Sequence, residues 1–142
     1  TCTRLVDALR DLHNIPLGPK SGMEPFVDFY DDSLTWAFIR GVFDADGHIR
    51  NYLRTTTVKG KTYTNPRCRL TMTVGLRFVD GLVRWLKARG FQLPPKCSHQ
   101  KGKEGTWEFE LASRETLKQI RKYLYADGSL FLERKKAIFD AL

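Results

Sequence analysis

The stretch Ser33-Leu34-Thr35-Trp36-Ala37-Phe38-Ile39-Arg40-Gly41-Val42-Phe43-Asp44-Ala45-Asp46-Gly47 changes period at its end, and that change decides the fold. From Leu34 to about Ala45 it reads as a helix, with Ser33 as N-cap and acidic Asp31 and Asp32 just before it. The helix is apolar on nearly all sides, interrupted only by Arg40, so it must be buried on two faces. One face can cover the chain's own sheet, and a helix from outside the chain can cover the other.

After Gly47 the pattern switches to period two. Between His48 and Val58, Ile49 and Leu53 point one way while His48, Arg50, Tyr52, Arg54 and Thr56 point the other. Gly60, between Lys59 and Lys61, marks a turn. A second strand from Arg67 to Val74 turns Cys68, Leu70, Met72 and Val74 inward and Arg67, Arg69, Thr71 and Thr73 outward. No Asp or Glu occurs from His48 through Thr73, so the outward face suits a polyanion.

Working outward, a helix is expected over Phe78–Leu86, stopped at Gly90. Two shorter strands follow, near Gln92–His99 and over Thr106–Leu111, with Trp107, Phe109 and Leu111 in the core. Outward Glu108 and Glu110 make this second hairpin a poorer phosphate surface. Ser113 caps a third helix through Tyr123, and Asp127-Gly128-Ser129 begins a last one over Leu130–Leu142. Residues 1–32 read as an N-terminal helical arm and strap: an amphipathic helix over Leu5–Leu12, then a Pro- and Gly-rich strap pinned by Phe26, Phe29 and Tyr30. Residues 33–142 form the main domain. The order α-β-β-α-β-β-α-α, after the arm, implies an α+β fold with an antiparallel β saddle backed by helices.

The chain has 142 residues, 42% of them hydrophobic, which suits one globular domain. Its formal net charge of +8 favours an anionic partner. The three cysteines lack zinc-type pairing and read as reduced thiols, with Cys68 and Cys97 as small core residues. No apolar run is long enough to span a bilayer and no leader opens the chain, so an intracellular location is expected.

The chemistry is expected where the helix stops. Asp44 lies in the last turn and is expected to bond backbone groups at a structural turn shared with Gly47. Asp46, beside Gly47, is exposed at the sheet's edge and can hold Mg²⁺ together with phosphate and water. A calcium EF-hand would need a further ligand near residue 48 and a later Glu, which His48 and the following strand do not supply.

Residues 39–47 resemble the signature of the LAGLIDADG homing endonucleases, with Gly41, Asp44, Ala45, Asp46 and Gly47 identical and Ile39, Val42 and Phe43 alike in kind. The resemblance extends from about Ser33 to Leu142 and implies a site-specific endonuclease acting on double-stranded DNA. It implies that two motif helices pack side by side, through Ile39, Gly41 and Val42. Asp46 and the carbonyl of Ala45 would bind catalytic Mg²⁺, with two or more ions at the centre of the pair. A basic residue of the final helix would assist at the scissile phosphate; among Arg134, Lys135 and Lys136, Lys135 is the choice. The saddle would lie in the DNA major groove. Its contact set would be His48, Arg50, Tyr52, Arg54, Thr56, Lys59, Lys61, Arg67, Arg69, Thr71 and Thr73, joined by Lys96, Lys101 and Lys103.

Arg40 departs from the small residue of the ideal motif and is expected to face solvent or the partner helix. One motif supplies one centre and cutting both strands needs two, so a homodimer is expected, with no membrane and no small-molecule cofactor. Two alternatives stay open: a separated C-terminal half of a two-motif enzyme, and a non-cleaving DNA- or RNA-binding protein such as a maturase or transcription regulator.

Overall fold

A long helix runs directly into a long β-hairpin in the computed structural model, which describes residues 26–100, 102, 105–126 and 130–142. The expected helix over 5–12, Cys2, Lys101, Lys103 and the turn at 127–129 lie outside the described residues. Helix α1 spans Asp32–Asp46. Its N-cap is Asp31 rather than the expected Ser33, the Asp31 carboxylate accepting from the Ser33 N–H at 2.8 Å. The entry is set by Thr35, fully buried, whose Oγ1 accepts from the Phe29 N–H at 3.0 Å.

Strands β1 (Gly47–Val58) and β2 (Lys61–Gly75) pair antiparallel from Gly47↔Met72 to Val58↔Lys61. Lys59 and Gly60 have φ of 50° and 74°, so both turn residues are left-handed and match the twist of a tight hairpin. Strand β2 begins six residues before the expected Arg67. Pro66 lies within the added stretch: it stands opposite Leu53, beyond the end of β4's pairing, where β2 has an open edge that tolerates proline.

Helix α2 (Leu76–Ala88) ends before Gly90, whose φ is 81°. Strand β3 covers only Ser98–Gln100, so the expected strand from Gln92 is corrected; Pro94 and Pro95 carry no N–H for a ladder. Strand β4 is Thr106–Leu111 and helix α3 is Arg114–Leu124, capped by Ser113 Oγ, which accepts from Thr116 N–H at 3.3 Å. Helix α4 is Glu133–Asp140, shorter than the expected Leu130–Leu142, because Phe131 turns aside to pack edge-on against Tyr125.

The element order is the expected α-β-β-α-β-β-α-α, and the sheet order is β1-β2-β4-β3, antiparallel throughout. Ile49, Cys68, Leu70, Met72, Phe109 and Leu111 form the sheet's side of the core. Trp36, Ile39 and Phe43 of α1, Leu82 and Trp85 of α2, and Leu117 and Leu124 of α3 pack against them. The strap is pinned by Phe26, whose ring meets Phe38, Phe78 and Trp85; a Cβ on Gly81 would come within 2.4 Å of Phe26 Cβ. Phe29 packs on Phe38, but Tyr30 is wholly exposed and pins nothing. Cys68 and Cys97 are buried free thiols, and burial pushes both thiol pKa values up.

The core stops part-way along the hairpin. Leu53, expected inward, is 70% exposed, and beyond it the same face carries Thr55–Thr64 and Thr57–Thr62 cross-strand pairs at 3.3 Å. The outer hairpin therefore projects into solvent on both faces, stabilised by its turn and by threonine pairing.

Candidate active site

The end of α1 is built from backbone carbonyls and one buried ammonium. Gly47 has φ −85° and ψ 159°, an extended conformation open to any residue, so backbone freedom is not why glycine stands here. The reason is space: a Cβ would lie 2.3 Å from Phe43 Cδ2 and 2.5 Å from the Phe43 carbonyl oxygen. The strand leaves the helix tightly against Phe43, and only glycine allows it.

Lys135, expected to assist at the scissile phosphate, is only 3% exposed. Its Nζ donates to the carbonyls of Phe43 at 2.5 Å, Asp44 at 2.9 Å and Gly47 at 2.6 Å, and sits 4.7 Å from the Phe43 ring centroid. An ammonium has three protons, and all three are committed. Burial draws the Lys135 pKa below the ordinary lysine value, with Asp44 opposing, Arg134 reinforcing and Asp46 opposing. The side chain staples helix to strand and offsets the negative end of the helix dipole.

Asp44 reaches a remote backbone group: its Oδ2 accepts from the Leu132 N–H at 3.0 Å, tying α4's start to α1. Asp44 Oδ1 and the Tyr125 hydroxyl are both buried with no hydrogen-bond partner among the described residues. Burial, then the charge of Asp44, pushes the Tyr125 hydroxyl far above the ordinary tyrosine value.

Asp46 is the last helical residue, and it is exposed, as is Ala45. The Asp46 carboxylate hydrogen-bonds to no described residue, and Lys135 takes carbonyls on either side of Ala45 but not Ala45's own. A carboxylate and a carbonyl at the negative end of a helix suit a hard divalent cation that keeps other oxygen ligands. Among the described residues no three His, Cys, Asp or Glu side chains converge on one point.

The outer face of α1 carries an apolar stripe. Leu34 is 55% exposed, Gly41 and Ala45 are exposed, and Ala37, Phe38 and Val42 are half-buried. A Cβ on Gly41 would meet nothing within 4 Å, so this surface is open. Ile39, expected on that surface, is 4% exposed and belongs to the chain's own core. Arg40 faces neither solvent nor a partner helix: it is buried, and Nη1 donates to the Leu124 carbonyl at 2.9 Å.

Asp46 adjoins the root of the hairpin's basic face. His48, Arg50, Arg54, Thr56, Lys59, Lys61, Arg67 and Thr73 are exposed, while Tyr52, Arg69 and Thr71 are half-buried. Lys96 is exposed in the loop before β3. The longer β2 adds Tyr63 and Asn65, opposite Thr56 and Arg54, which the sequence reading missed; the β-forming run Thr62-Tyr63-Thr64 was the available signal. Glu110 was the other omission. It stands opposite Thr71, and its Oε1 lies 3.3 Å from Arg69 Nε. No helix among the described residues is long and apolar enough to cross a membrane.

No known family model and no curated protein matches the sequence. Solved structures do. The homing endonuclease I-CvuI in complex with its target is 22% identical, with TM-score 0.54, over 77% of this chain and 63% of that one. The fold is that of the homing endonucleases. Within the same fold, I-SmaMI bound to an uncleaved DNA target in the presence of calcium ions is 20% identical, with TM-score 0.54, over 75% of this chain and 35% of that one. The archaeal intron-encoded homing endonuclease I-Vdi141I, complexed with DNA, is 16% identical, with TM-score 0.54, over 78% of this chain and 67% of that one. The chain thus spans under two thirds of I-CvuI and about a third of I-SmaMI.

Proposed function

We propose that this chain is a site-specific endonuclease of the LAGLIDADG type that hydrolyses double-stranded DNA with a divalent metal, two motif helices working side by side. The observation that carries the reading is the exposed Asp46, without a hydrogen bond to any described residue, between the apolar stripe of α1 and the basic root of the hairpin. Structural neighbours named as homing endonucleases bound to DNA support the substrate class.

On this reading Asp46 and the Ala45 carbonyl would hold Mg²⁺, which supplies, when bound, stabilisation of the charge on the scissile phosphate. Lys135 keeps the helix–strand junction rigid and thereby holds Asp46 in position; it is a positioning residue. The hairpin binds and orients the duplex, and the α1 stripe, centred on Gly41 with Val42 at its edge, is the surface for the second motif helix. One carboxylate per chain accounts for one cut, so a symmetric homodimer would account for two.

A second reading has its own support, since the match takes in only 35% of I-SmaMI: the second motif would then come from another half of a longer enzyme. Both readings are tested by incubating the protein with a randomised plasmid library in Mg²⁺ or Ca²⁺. Double-strand breaks in Mg²⁺ alone, abolished by Asp46→Asn, establish the homodimeric nuclease. Nicks or no cuts from the protein alone, with breaks when a second motif-bearing chain is added, establish the half-enzyme. Tight binding without cuts under every condition favours the non-cleaving binder and rejects the nuclease.

A further inference from the structure

The hairpin's outward face holds a cluster that strand pairing alone disfavours. Arg50 and Arg69 stand directly opposite each other, and the next outward pair sets Tyr52 against Arg67. Like charges directly opposite are destabilising. Here two groups hold them. Both guanidiniums lie against the Tyr52 ring, Arg50 Cζ at 5.1 Å and Arg69 Cζ at 5.9 Å from its centroid. Arg69 is also ion-paired from the next strand: its buried Nε lies 3.3 Å from Glu110 Oε1, without the alignment of a hydrogen bond.

That arrangement separates two possible targets. A phosphate needs only positive charge and reach, and a carboxylate at its binding site repels it. A base edge is neutral and planar, and it rewards a guanidinium whose plane is set in advance. With Glu110 against the Nε edge of Arg69, its terminal nitrogens remain to meet a two-acceptor edge. In the major groove that edge is guanine O6 and N7. Directly opposed residues have Cβ atoms roughly 5 Å apart, close to the ~3.4 Å step between stacked bases.

We propose that Arg50 and Arg69 form a clamp reading guanines on adjacent base pairs of duplex DNA, with Tyr52 and Glu110 as the positioning residues that set its specificity. This rests on the DNA-binding part of the function proposed above and deepens it. Arg69 has both a ring and a carboxylate beside it and Arg50 the ring alone, so the guanine under Arg69 is the more strictly required.

The test is selection from a randomised duplex library in Ca²⁺ by the full chain and four variants, with total affinity measured at several salt concentrations. The wild type is expected to enrich sites with guanines at two adjacent positions. Arg69→Lys, Tyr52→Leu and Glu110→Gln are each expected to lower that preference roughly tenfold at one or both positions, with unrelated positions unaffected. Tyr52→Phe keeps the ring and should keep the preference, and thermal melting checks that every variant is folded. If Glu110→Gln instead strengthens binding to all sequences alike, Arg69 is a phosphate contact and the clamp is wrong. An enriched site without the guanine pair, or variants that leave it unchanged, also overturns the clamp while DNA binding stands. Absence of any duplex binding by the wild type overturns the clamp together with the DNA reading beneath it.

Discussion

Replacing Lys135 with methionine keeps the length of the side chain and removes its charge and its three N–H donors. The carbonyls of Phe43, Asp44 and Gly47 each lose a short charge-assisted bond. Such bonds contribute roughly 1.5–3 kcal/mol each. Against that, the buried ammonium no longer has to be desolvated, which returns a substantial part, and Phe43 O keeps the Gly47 N–H. The net loss expected is about 3 kcal/mol, in the range for breaking buried charged contacts. For a chain of this size that lowers the melting temperature by about 10 °C. Lys135→Gln, which retains two donors, should lose less. The assay is thermal unfolding followed by circular dichroism, with Asp46→Asn as an exposed control expected to stay within ~0.5 kcal/mol of wild type. If Lys135→Met melts within a degree or two of wild type while cleavage disappears, the side chain acts at the phosphate and the staple reasoning fails.

Four further outcomes are expected. Gly47→Ala forces a Cβ into the Phe43 carbonyl and should cost about 1–3 kcal/mol in denaturant melts, whereas Gly41→Ala meets nothing and should leave the isolated chain as stable or slightly more so. Gly41→Leu should leave unfolding nearly unchanged yet abolish self-association in sedimentation experiments, if α1's stripe is the helix-pairing surface. Tyr125→Phe removes a buried hydroxyl without a described partner and should stabilise by about 1 kcal/mol. Because the folded hydroxyl ionises later than the unfolded one, wild-type stability falls as pH rises past about 10; the Phe variant should lack that component in urea melts at stepped pH. DNA affinity should fall steeply with salt, and Arg54→Ala or Lys61→Ala should reduce the slope, measured by fluorescence anisotropy.

Much of this architecture is written in local pattern. The period switch at Gly47, the alternation from His48 to Thr57 and from Arg67 to Val74, the stop at Gly90 and the cap at Ser113 each reflect short-range geometry, and the structure follows them. The errors share a cause. Pro66 reads locally as a strand breaker, but its position at an open edge is a fact about where β4 ends. Leu53 alternates as though inward, yet the helices stop short of it. The exposure of Asp46 was legible because a carboxylate at a helix end is a local property. The surroundings of Arg40 and Lys135 were not, because the backbone carbonyls that accept from them belong to elements distant in sequence.

Sequence by itself determined the element order, the acidic helix end and the cationic face, since these depend on side-chain periodicity and on residues close along the chain. Folding decided which cations remain outside: Lys135 and Arg40 are buried where they donate to the carbonyls of Gly47 and Leu124, distant in sequence. It also decided that Glu110 should lie beside Arg69, an ion pair that exists only once β4 lies beside β2. Burial and long-range hydrogen bonding are properties of the packed chain, and no window of neighbouring residues contains them.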